Sequence, residues 1–530
     1  MTLPSDRRTA SKGDAFRGMS VTWLLDQWVA RQPDKPFVVW APFEGDVRRW
    51  SYAEMAREAR RFAAGLHARG VRAGDFVLMH LDNGPEFLGA WLGCAYLGAV
   101  PVTTNTRSVA ENVHYFAELM QPACAITQPS LAPLVREACG AGTAMIVTGD
   151  PNTAYDAAAL GATSLAEVFS DGPLPDLPAD HLRNFAVQFT SGTTSRPKPT
   201  VWTHANALWG ARTIAMNLRL RREDVTLLYL PLFHANAQVT FFSALWAGNT
   251  IVVHPRFSAS RFWDTCAAHG VTWVSRIPFA FKALKGRPVP EHKVHTLIGL
   301  ARLPEAEAEF GARTMALWGM TETGTAAIMT DADHPGPPGT MGRALPQYDV
   351  EIRKPDGTMA GPGEEGLLYI RGERGVSLFR EYYRQPDKTE DAFDASGALD
   401  TGDIVRIDAE GWLYFVNRDK DMLRVGGENV AALEIETVIA GTGLVLECAV
   451  VAQKHHMLGD VPVAFVSANA DGQALAKDEL RDRILSGCRE NLADFKMPRA
   501  VHVVDDFPRS TLDRISKKEL RDRLDPVEAE

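Results

Sequence analysis

The sequence has few cysteines, and no two of them lie at metal-ligand spacing. Its 530 residues include six cysteines, which are far apart in the chain. Zinc sites and disulfide frameworks usually show as closely spaced cysteine pairs such as Cys-x-x-Cys. The sequence therefore argues against a zinc site and against a disulfide-stabilised miniprotein. We expect reduced, mostly buried thiols of a cytosolic protein.

The sequence also lacks an excess of positive charge. Lys and Arg number 56 against 66 Asp and Glu, which gives a net charge of −10 with neutral histidines. Proteins that bind nucleic acid or an anionic membrane surface usually carry a basic patch or stripe. We therefore expect no nucleic-acid partner, and any phosphate site must be built from a few local residues.

A long apolar run is missing as well. The most apolar stretch, 87–102, contains three glycines and a proline, and it is shorter than the roughly 20 residues that a membrane-spanning helix needs. Residues 1–17 are polar and show no apolar segment typical of a signal peptide. We expect no signal peptide, no transmembrane segment and a cytoplasmic location.

The composition is that of an ordinary globular protein, with 45% hydrophobic and 23% charged residues. Helical and strand-like stretches alternate along much of the chain. The helical pattern of 51–69 opens with Ser51 and Glu54, at the spacing of a capping box. Short apolar runs such as 75–80 and 124–127 indicate strands between helices. This alternation predicts an α/β fold in which parallel sheets are covered by helices.

The pattern changes after about residue 336. Proline and glycine are frequent over 335–366, with short strand-like pieces, which predicts a β-rich subdomain of the large domain. After about residue 421, helical and strand-like stretches mix again, which predicts a small α+β domain. We therefore predict a large N-terminal domain over 1–419 and a small C-terminal domain over 420–530.

A hydroxyl-rich loop gives the first chemical signal. Residues 190–198 read Thr-Ser-Gly-Thr-Thr-Ser-Arg-Pro-Lys and follow a strand-like run. Backbone N–H groups, hydroxyls and the two cations of such a loop can surround phosphate oxygens. The Gly-x4-Gly-Lys spacing of a P-loop is absent. Taken alone, the stretch is also compatible with a solvated Ser/Thr loop.

This loop resembles the phosphate-binding signature of the acyl-adenylate-forming superfamily, which includes acyl-CoA synthetases. It departs from the usual pattern at two positions, where Ser195 and Pro199 replace glycines. Further motifs that resemble the superfamily's follow in order and begin at Leu230, Gly299, Trp318, Thr401, Arg418 and Asp494. Phrases beginning at Phe257, Gly319 and Arg424, and more loosely the phrase Phe379–Tyr383, resemble the branch of carnitine and crotonobetaine CoA ligases. The resemblance covers nearly the whole chain and implies the superfamily's fold, including a mobile C-terminal domain.

By this resemblance, several motif residues bind ATP and Mg²⁺. Glu322 and Thr190 are expected to contact the metal, and a carboxylate suits that hard cation. Thr321 is expected to donate its hydroxyl to the α-phosphate. The other expected nucleotide-binding residues are Ser191, Gly192, Thr193, Thr194, Lys198, Ala301, Trp318, Asp403 and Arg418.

Three of these residues also have plainer interpretations. The resemblance implies that Asp403 accepts the ribose hydroxyls, although an aspartate after Gly402 also suits a turn. Trp318 would offer an aromatic face to adenine where the superfamily more often has Tyr, and a core tryptophan is the alternative. Arg418 would reach ribose or phosphate, or it is a surface charge.

The acid and CoA are the other two partners that the resemblance implies. His234, Gly299 and Met320 occupy positions that border the acyl group, and a structural histidine stays open as an alternative for the first. Gly427 lacks a Cβ, which would let pantetheine run close to the backbone. Lys420 occupies the superfamily's hinge position, about which the small domain rotates between the two half-reactions.

The final motif departs most from the superfamily pattern. Where that pattern ends in Gly-Lys, this chain has Asp513 and Arg514. We expect Arg514 to act in catalysis with Thr321 and Glu322, because Arg keeps the positive charge and can bind phosphate or carboxylate oxygens through two N–H groups. A solvated charge and a loss of adenylation are the alternatives.

The resemblance thus implies an ATP-dependent acid–CoA ligase that releases AMP and pyrophosphate through an acyl-adenylate. The alternatives are an adenylating enzyme that loads a carrier protein and a relative impaired in adenylation. A carnitine-type acid carries a quaternary ammonium, which needs an aromatic cage or a carboxylate. The segment 229–239 instead offers neutral Asn236 and Gln238. We therefore expect an uncharged acyl chain or ring, and the sequence leaves open which acid it is and whether the protein forms a homodimer.

Overall fold

The computed structural model describes residues 15–108, 110–149, 155–190, 197–275, 278–418, 421–425, 428–455, 459–492, 494–509 and 515–524. The predicted site residues outside these ranges are Ser191, Gly192, Thr193, Thr194, Lys420, Gly427 and Arg514. The roles predicted for those residues therefore stay predictions. The other predicted site residues lie within the described part of the chain.

The strands in the described residues are β1 (Pro36–Trp40), β2 (Arg48–Ser51), β3 (Phe76–His80), β4 (Val100–Thr103), β5 (Cys124–Thr127), β6 (Ala144–Val147), β7 (Thr163–Ser164), β8 (Asn184–Thr190), β9 (Lys198–Thr203), β10 (Val225–Leu228), β11 (Thr250–Val253), β12 (Trp273–Ser275), β13 (Thr296–Gly299), β14 (Arg313–Gly319), β15 (Ala326–Met329), β16 (Arg343–Ala344), β17 (Asp349–Arg353), β18 (Glu365–Arg371), β19 (Glu381–Tyr382), β20 (Leu399–Ile407), β21 (Leu413–Arg418), β22 (Met422–Val425), β23 (Glu428–Ala431), β24 (Val445–His455), β25 (Gly459–Ala468) and β26 (Ala500–Val503).

The α-helices are α1 (Val21–Arg31), α2 (Tyr52–Ala68), α3 (Pro85–Leu97), α4 (Ala110–Met120), α5 (Ala132–Cys139), α6 (Leu165–Val168), α7 (His204–Asn217), α8 (Ala235–Ala247), α9 (Phe262–His269), α10 (Pro278–Leu284), α11 (Pro304–Phe310), α12 (Pro386–Glu390), α13 (Ala432–Gly441), α14 (Ala470–Gln473), α15 (Lys477–Asn491) and α16 (Lys517–Asp522). Short 3₁₀ turns lie at Thr321–Thr323 and Asp494–Lys496.

Local sequence signals set the ends of several elements. The Ser51 hydroxyl accepts the Glu54 N–H at 3.2 Å, and the Glu54 carboxylate accepts the Ser51 N–H at 2.8 Å, which forms the predicted capping box of α2. Gly98 follows α3 in the left-handed region at φ 75°, so α3 ends there and β4 begins two residues later. The predicted elements at 51–69 and 124–127 are therefore confirmed.

One sheet contains nine described strands in the order β16-β15-β14-β13-β12-β10-β11-β1-β2. The pairs from β1 through β11, β10, β12 and β13 to β14 are parallel, and the outer pairs are antiparallel. The carboxyl ends of the parallel strands therefore lie along one edge. In open α/β sheets, ligands bind outside that edge.

A second sheet contains eight described strands in the order β19-β9-β8-β4-β3-β5-β6-β7. Its inner pairs are parallel, whereas β9 pairs antiparallel with both β8 and β19. In the sequence, β8 and β9 flank the hydroxyl-rich stretch. These two sheets and their covering helices confirm the predicted α/β fold.

The described residues divide into two compact units. The first comprises those within Met1–Thr190, Lys198–Val350 and Ile370–Ala398, and the second comprises those within Ser191–Pro197, Glu351–Tyr369 and Leu399–Glu530. The second unit holds a four-stranded sheet, β17-β18-β20-β21, and a sheet ordered β23-β22-β25-β24 with β26 on β25. The predicted domain boundary, 419/420, falls outside the described residues and stays a prediction.

The cores of the two units are apolar. The first unit buries large side chains such as Trp91, Trp202 and Trp273, and the second packs Leu423, Ile435 and other aliphatic side chains between its sheet and helices. The six cysteines are free thiols, four of them buried. Within the described residues, no helix is long and apolar enough to cross a membrane.

Candidate functional site

The centre of the candidate site is a tight turn between β14 and β15. Its 3₁₀ helix, Thr321–Thr323, is closed from within by the Thr323 hydroxyl. That hydroxyl accepts the Met320 N–H at 3.0 Å and lies 2.6 Å from the Thr325 carbonyl oxygen. Gly324 ends the turn in the left-handed region at φ 63°, where glycine carries no steric penalty.

Other elements bind three consecutive carbonyl oxygens of this turn. The indole N–H of Trp202 donates to the Thr321 carbonyl at 2.9 Å. The Phe379 N–H donates to the Glu322 carbonyl at 2.7 Å. The Tyr348 hydroxyl, buried in the core, donates to the Thr323 carbonyl at 2.9 Å. With its backbone bound on successive residues, the turn holds the Thr321 and Glu322 side chains in a fixed direction.

The Glu322 carboxylate is itself buried, with 6% of the residue exposed. The Tyr382 hydroxyl donates to its Oε1 at 2.7 Å. Burial, and then the neighbouring Glu322 charge, raise the pKa of Tyr382 well above its ordinary value, so the phenol stays protonated and acts as the donor. A buried carboxylate normally needs such a partner.

The β8–β9 hairpin brings two other predicted residues to the same place. Thr190 and Lys198 face each other in its register, on either side of the hydroxyl-rich loop. The Lys198 ammonium lies 4.6 Å from the centroid of the Tyr382 ring, within the range of a cation–π contact. Tyr382 therefore contacts the predicted metal-binding carboxylate through its hydroxyl and the phosphate-loop lysine through its ring.

Gly299 and Trp318 lie at the carboxyl ends of two neighbouring strands, and Ala301 and Met320 follow those ends. β13 and β14 run parallel, with Gly299 opposite Ala316, so residues 299–301 and 318–320 lie at the same edge of the sheet. Trp318 is only 6% exposed, whereas Leu300 is 60% exposed. The structure thus places these predicted residues along the ligand-binding edge, with Trp318 largely enclosed.

Two amide side chains, half-buried Asn83 and buried Gln238, hold the segment that leads to His234. The Asn83 side chain donates to the Leu230 carbonyl at 3.0 Å and accepts the Leu232 N–H at 2.8 Å. Gln238, fully buried, donates to the Leu232 carbonyl at 3.1 Å. Its own Oε1 accepts from Gln188 at 2.7 Å. His234 occupies the N-cap position of α8 and is half-buried.

Asn236 lies two residues further, at the start of α8, and its hydrogen-bond partners among the described residues, Ser275 and Thr240, are neutral. The Ser275 hydroxyl, at the end of β12, donates to Asn236 Oδ1 at 2.8 Å. Tyr229, which follows β10, has its ring centroid 5.2 Å from that of Phe257. This part of the sheet edge therefore combines aromatic rings with an amide and a hydroxyl.

Asp403 and Arg418 lie together within the second unit. They are opposite each other in the β20–β21 register, and Arg418 Nε lies 2.9 Å from Asp403 Oδ1. Asp403 is buried and Arg418 is about one-third exposed. Sequence reasoning predicted both residues but not that they form an ion pair with each other.

The donor atoms at the turn suit Mg²⁺ rather than a transition metal. Glu322 offers a carboxylate and Thr190 a hydroxyl, and hard oxygen donors shared with phosphates are typical of Mg²⁺ sites. No group of three or more His, Cys, Asp or Glu side chains arranged to hold a metal was found in the described part of the chain. These residues therefore fit a metal ion that is held jointly with a nucleotide.

Comparison with known proteins agrees with this geometry. The model of the AMP-binding enzyme family matches residues 25–383, and that of the AMP-binding enzyme C-terminal domain matches residues 434–513. The chain belongs to the AMP-binding enzyme family. It is 32% identical over 526 residues to a crotonobetaine/carnitine–CoA ligase of Salmonella enteritidis, covering 96% of this chain and 100% of the relative.

Solved structures of the family share the fold. An O-succinylbenzoate coenzyme A synthetase from Bacillus subtilis, in complex with ATP and magnesium ion, is 25% identical with a TM-score of 0.80, over 94% of this chain and 98% of that one. ATP-bound MatB from Rhodopseudomonas palustris is 26% identical with a TM-score of 0.79, over 95% and 99%. The anthranilate CoA ligase AuaEII reaches a TM-score of 0.83 at 22% identity, over 95% and 96%, and supports the fold alone.

These findings confirm the family and the class of reaction predicted from the motifs. The protein is an AMP-forming acyl-CoA synthetase that works through an acyl-adenylate, with ATP and CoA as co-substrates and magnesium as cofactor. The relatives are CoA ligases, so the carrier-loading alternative is not favoured.

Sequence reasoning did not assign three residues that the structure places at the site. Tyr382 contacts Glu322 from 60 residues away, and Asn83 binds Leu232 of the His234 segment from 149 residues away. Ser275 meets Asn236 at the sheet edge. Tyr382 alone had a signal, since it lies in the Phe379–Tyr383 phrase that loosely resembles the carnitine branch.

Proposed function

We propose that this synthetase activates a carboxylic acid that carries no charge apart from its carboxylate. The observation that supports this most is the neutral pair Asn236–Ser275 at the sheet edge, where Tyr229 follows the strand that pairs with the strand ending at Ser275. The sequence from Tyr229 to Ala247 contains no Asp or Glu. A quaternary ammonium would lack a carboxylate partner from this segment, although the relatives are named for betaine acids.

We assign the adenylation chemistry to the turn and the hairpin. Glu322 and Thr190 would hold Mg²⁺, which neutralises phosphate charge when bound and so reduces repulsion between the acid and ATP. Thr321 would donate its hydroxyl to the α-phosphate, and Lys198 would bind phosphate oxygens. Fixed donors and charges of this kind stabilise the developing negative charge without reorganising.

The same proposal places the adenine and the acid along the edge of the nine-stranded sheet. Trp318 and Ala301 would border adenine, whereas Gly299, Met320 and His234 would border the acyl group. The half-buried N-cap position of His234 and the enclosed position of Trp318 support these assignments.

The remaining roles rest on the sequence motifs. Asp403 and Arg418 would bind the ribose and an adjacent phosphate, and their ion pair supports a joint role. Gly427 would border pantetheine and Lys420 would act as the hinge. Ser191, Gly192, Thr193 and Thr194 would surround phosphate oxygens, and Arg514 would act in adenylation.

A pair of acids with one shape and two charges tests the substrate class. Crotonobetaine and 5,5-dimethylhex-2-enoate differ only in having N⁺ or carbon at the branch point. We expect the neutral acid to give the higher kcat/KM for pyrophosphate release, by about tenfold or more. Equal or faster turnover of the betaine would contradict the proposal. Thioester detection with and without CoA checks the ligase reaction separately.

The Asn236→Asp variant tests the residue that carries the proposal. A carboxylate at this position should attract the trimethylammonium group, whereas its repulsion of the substrate carboxylate is common to both acids, so the preference for the neutral acid should shrink or reverse. Asn217→Asp makes the same change at the carboxyl end of α7 and should leave the preference unchanged. An unchanged preference in Asn236→Asp would show that this side chain does not face the acid.

Two finer properties complete the proposal. The free thiols support a reaction in the cytoplasm, which fractionation of cells producing the protein would test. A homodimer stays a prediction, and sedimentation equilibrium of the purified protein would decide between it and a monomer.

A further inference from the structure

Tyr382 is held in place independently of Glu322. It lies on the edge strand β19, opposite Thr200 of β9, and its N–H donates to the Thr389 hydroxyl at 2.9 Å. The residue is 3% exposed, and its ring centroid lies 4.7 Å from that of Phe379. Backbone pairing and ring packing thus fix the direction of the hydroxyl before any ligand binds.

Glu322 receives two hydrogen bonds from the same short segment. Tyr382 donates to its carboxylate at 2.7 Å, and the Phe379 N–H donates to its carbonyl oxygen at 2.7 Å. A carboxylate offers about four lone-pair sites, and the tyrosine occupies one of them. Hydrogen bonds to ionised acceptors are stronger and more directional than those between neutral groups. The segment therefore restricts both the backbone and the side chain of Glu322.

The second contact of Tyr382, with Lys198, involves its ring and not its hydroxyl. The Lys198 ammonium lies 4.6 Å from the ring centroid, and Lys198 begins the strand that pairs with β19. A cation over an aromatic face is attracted by the ring's electron distribution and does not need the hydroxyl. Removal of the hydroxyl and removal of the ring should therefore have different effects.

We propose that Tyr382 is a positioning residue for Mg²⁺·ATP: its hydroxyl orients the Glu322 carboxylate and its ring positions the Lys198 ammonium. The proposal rests on the roles proposed above for Glu322 and Lys198. It adds that the Tyr382 hydroxyl affects the ATP affinity that depends on Mg²⁺, whereas the Tyr382 ring affects the ATP affinity that does not depend on Mg²⁺.

Equilibrium binding of ATP to the full-length protein, without acid or CoA, tests this proposal because no turnover is involved. The measurement is made with Mg²⁺ and with EDTA. In Tyr382→Phe, we expect Mg²⁺·ATP to bind about tenfold more weakly, the usual cost of losing a hydrogen bond to a charged group. Binding in EDTA should not change, and it also confirms that the variant is folded.

Two further variants separate the ring from the hydroxyl. Tyr382→Leu removes both and should weaken ATP binding in EDTA as well as with Mg²⁺. Tyr383→Phe removes a hydroxyl from the next residue, whose ring packs on Phe76 at 4.8 Å, and should change neither value. An equal loss in both media for Tyr382→Phe, or no loss in either, would overturn the proposal.

A double-mutant cycle shows whether Tyr382 acts through Glu322. If it does, adding Tyr382→Phe to Glu322→Gln should weaken Mg²⁺·ATP binding little further, because the acceptor of the hydrogen bond has already lost its charge. Additive losses would overturn the positioning role. If Glu322→Gln itself leaves the effect of Mg²⁺ on ATP binding intact, the proposed metal role of Glu322 fails, which is a different outcome from additivity.

Discussion

Arg514 is the residue that we predict to supply positive charge in adenylation. It stands where the superfamily pattern has lysine, and it lies outside the described residues. The next cation along the chain, Lys517, is ion-paired with Glu436 at 2.7 Å within the second unit. That pair already engages the nearest substitute, which favours Arg514 as the residue that supplies charge in adenylation.

Arg514→Ala should slow acyl-AMP formation by about a hundredfold or more, since losing a positioned charge at a developing anion costs roughly 3–4 kcal/mol. Single-turnover formation of acyl-AMP measures this step. Thioester formation from supplied acyl-AMP should change little, and Arg514→Lys should retain substantial adenylation. Adenylation at the parental rate in Arg514→Ala would show that another group carries the charge.

The sequence predicts which residues act at the site better than it predicts which residues contact each other. The motif around Glu322 pointed to a metal-binding carboxylate because its neighbours are so specific. Its partner Tyr382 lies 60 residues away, and only the pairing of β19 with β9 brings the two together. The Asp403–Arg418 pair depends likewise on the register of β20 and β21, which residue spacing alone does not determine.

The helix α7 contacts two parts of the candidate site. Its N-terminal Asn206 donates from its side chain to the Val376 and Leu378 carbonyls at 2.8 Å each, which fixes the loop that leads to Phe379. Further along, Gly210 lies against Gly324 at the end of the Glu322 turn. One helix therefore positions both the turn and the segment that donates to it.

Periodicity and capping predict such helices well, whereas strand order needs long-range contacts. The predicted helix at 51–69 matches α2, because its polar and apolar residues repeat with helical spacing. The neighbours of each strand follow from tertiary packing, so the sequence indicated parallel sheets but not which strand ends would meet at the site.

The contact between Gly210 of α7 and the turn allows a prediction about stability and adenylation. A Cβ on Gly210 would lie 2.6 Å from the Gly324 carbonyl oxygen, so Gly210→Ala must push the helix and the turn apart. We expect a loss of about 1–3 kcal/mol in unfolding free energy and slower adenylation. Urea unfolding and pyrophosphate exchange measure the two effects.

A second helical glycine provides the matched control. Gly89, within α3, has no atom within 4 Å of its Cβ position. Gly89→Ala should therefore raise the unfolding free energy by about 0.5–1 kcal/mol, because it only reduces backbone freedom in the unfolded chain. If both substitutions behaved alike, the contact at Gly210 would not matter for stability.

Three buried histidines of the first unit make the stability of the protein sensitive to acid. Burial lowers the pKa of His204 to about 3, and of His80 and His254 to about 4. In the unfolded chain each histidine has a pKa near 6.5, so below that pH the unfolded state binds more protons than the folded state. The contribution of these histidines to the unfolding free energy is therefore fully present above about pH 6.5. It is lost as the pH falls towards 4, by up to about 1.4 kcal/mol per pH unit for each histidine.

His204→Asn tests this argument because Asn keeps an acceptor for the Val21 N–H, which donates to His204 Nδ1 at 3.3 Å, but takes up no proton. The variant should be less stable at pH 7.5, yet its urea midpoint should fall less steeply between pH 6.5 and 5 than that of the parent protein. Of the 12 tryptophans, only Trp412 falls in the ranges of the second unit, so tryptophan fluorescence follows mainly the first unit. The unfolded variant binds one proton fewer than the unfolded parent protein, so its urea midpoint should depend less on pH. An equally steep slope in His204→Asn would mean that protonation of His204 does not cause the loss of stability in acid.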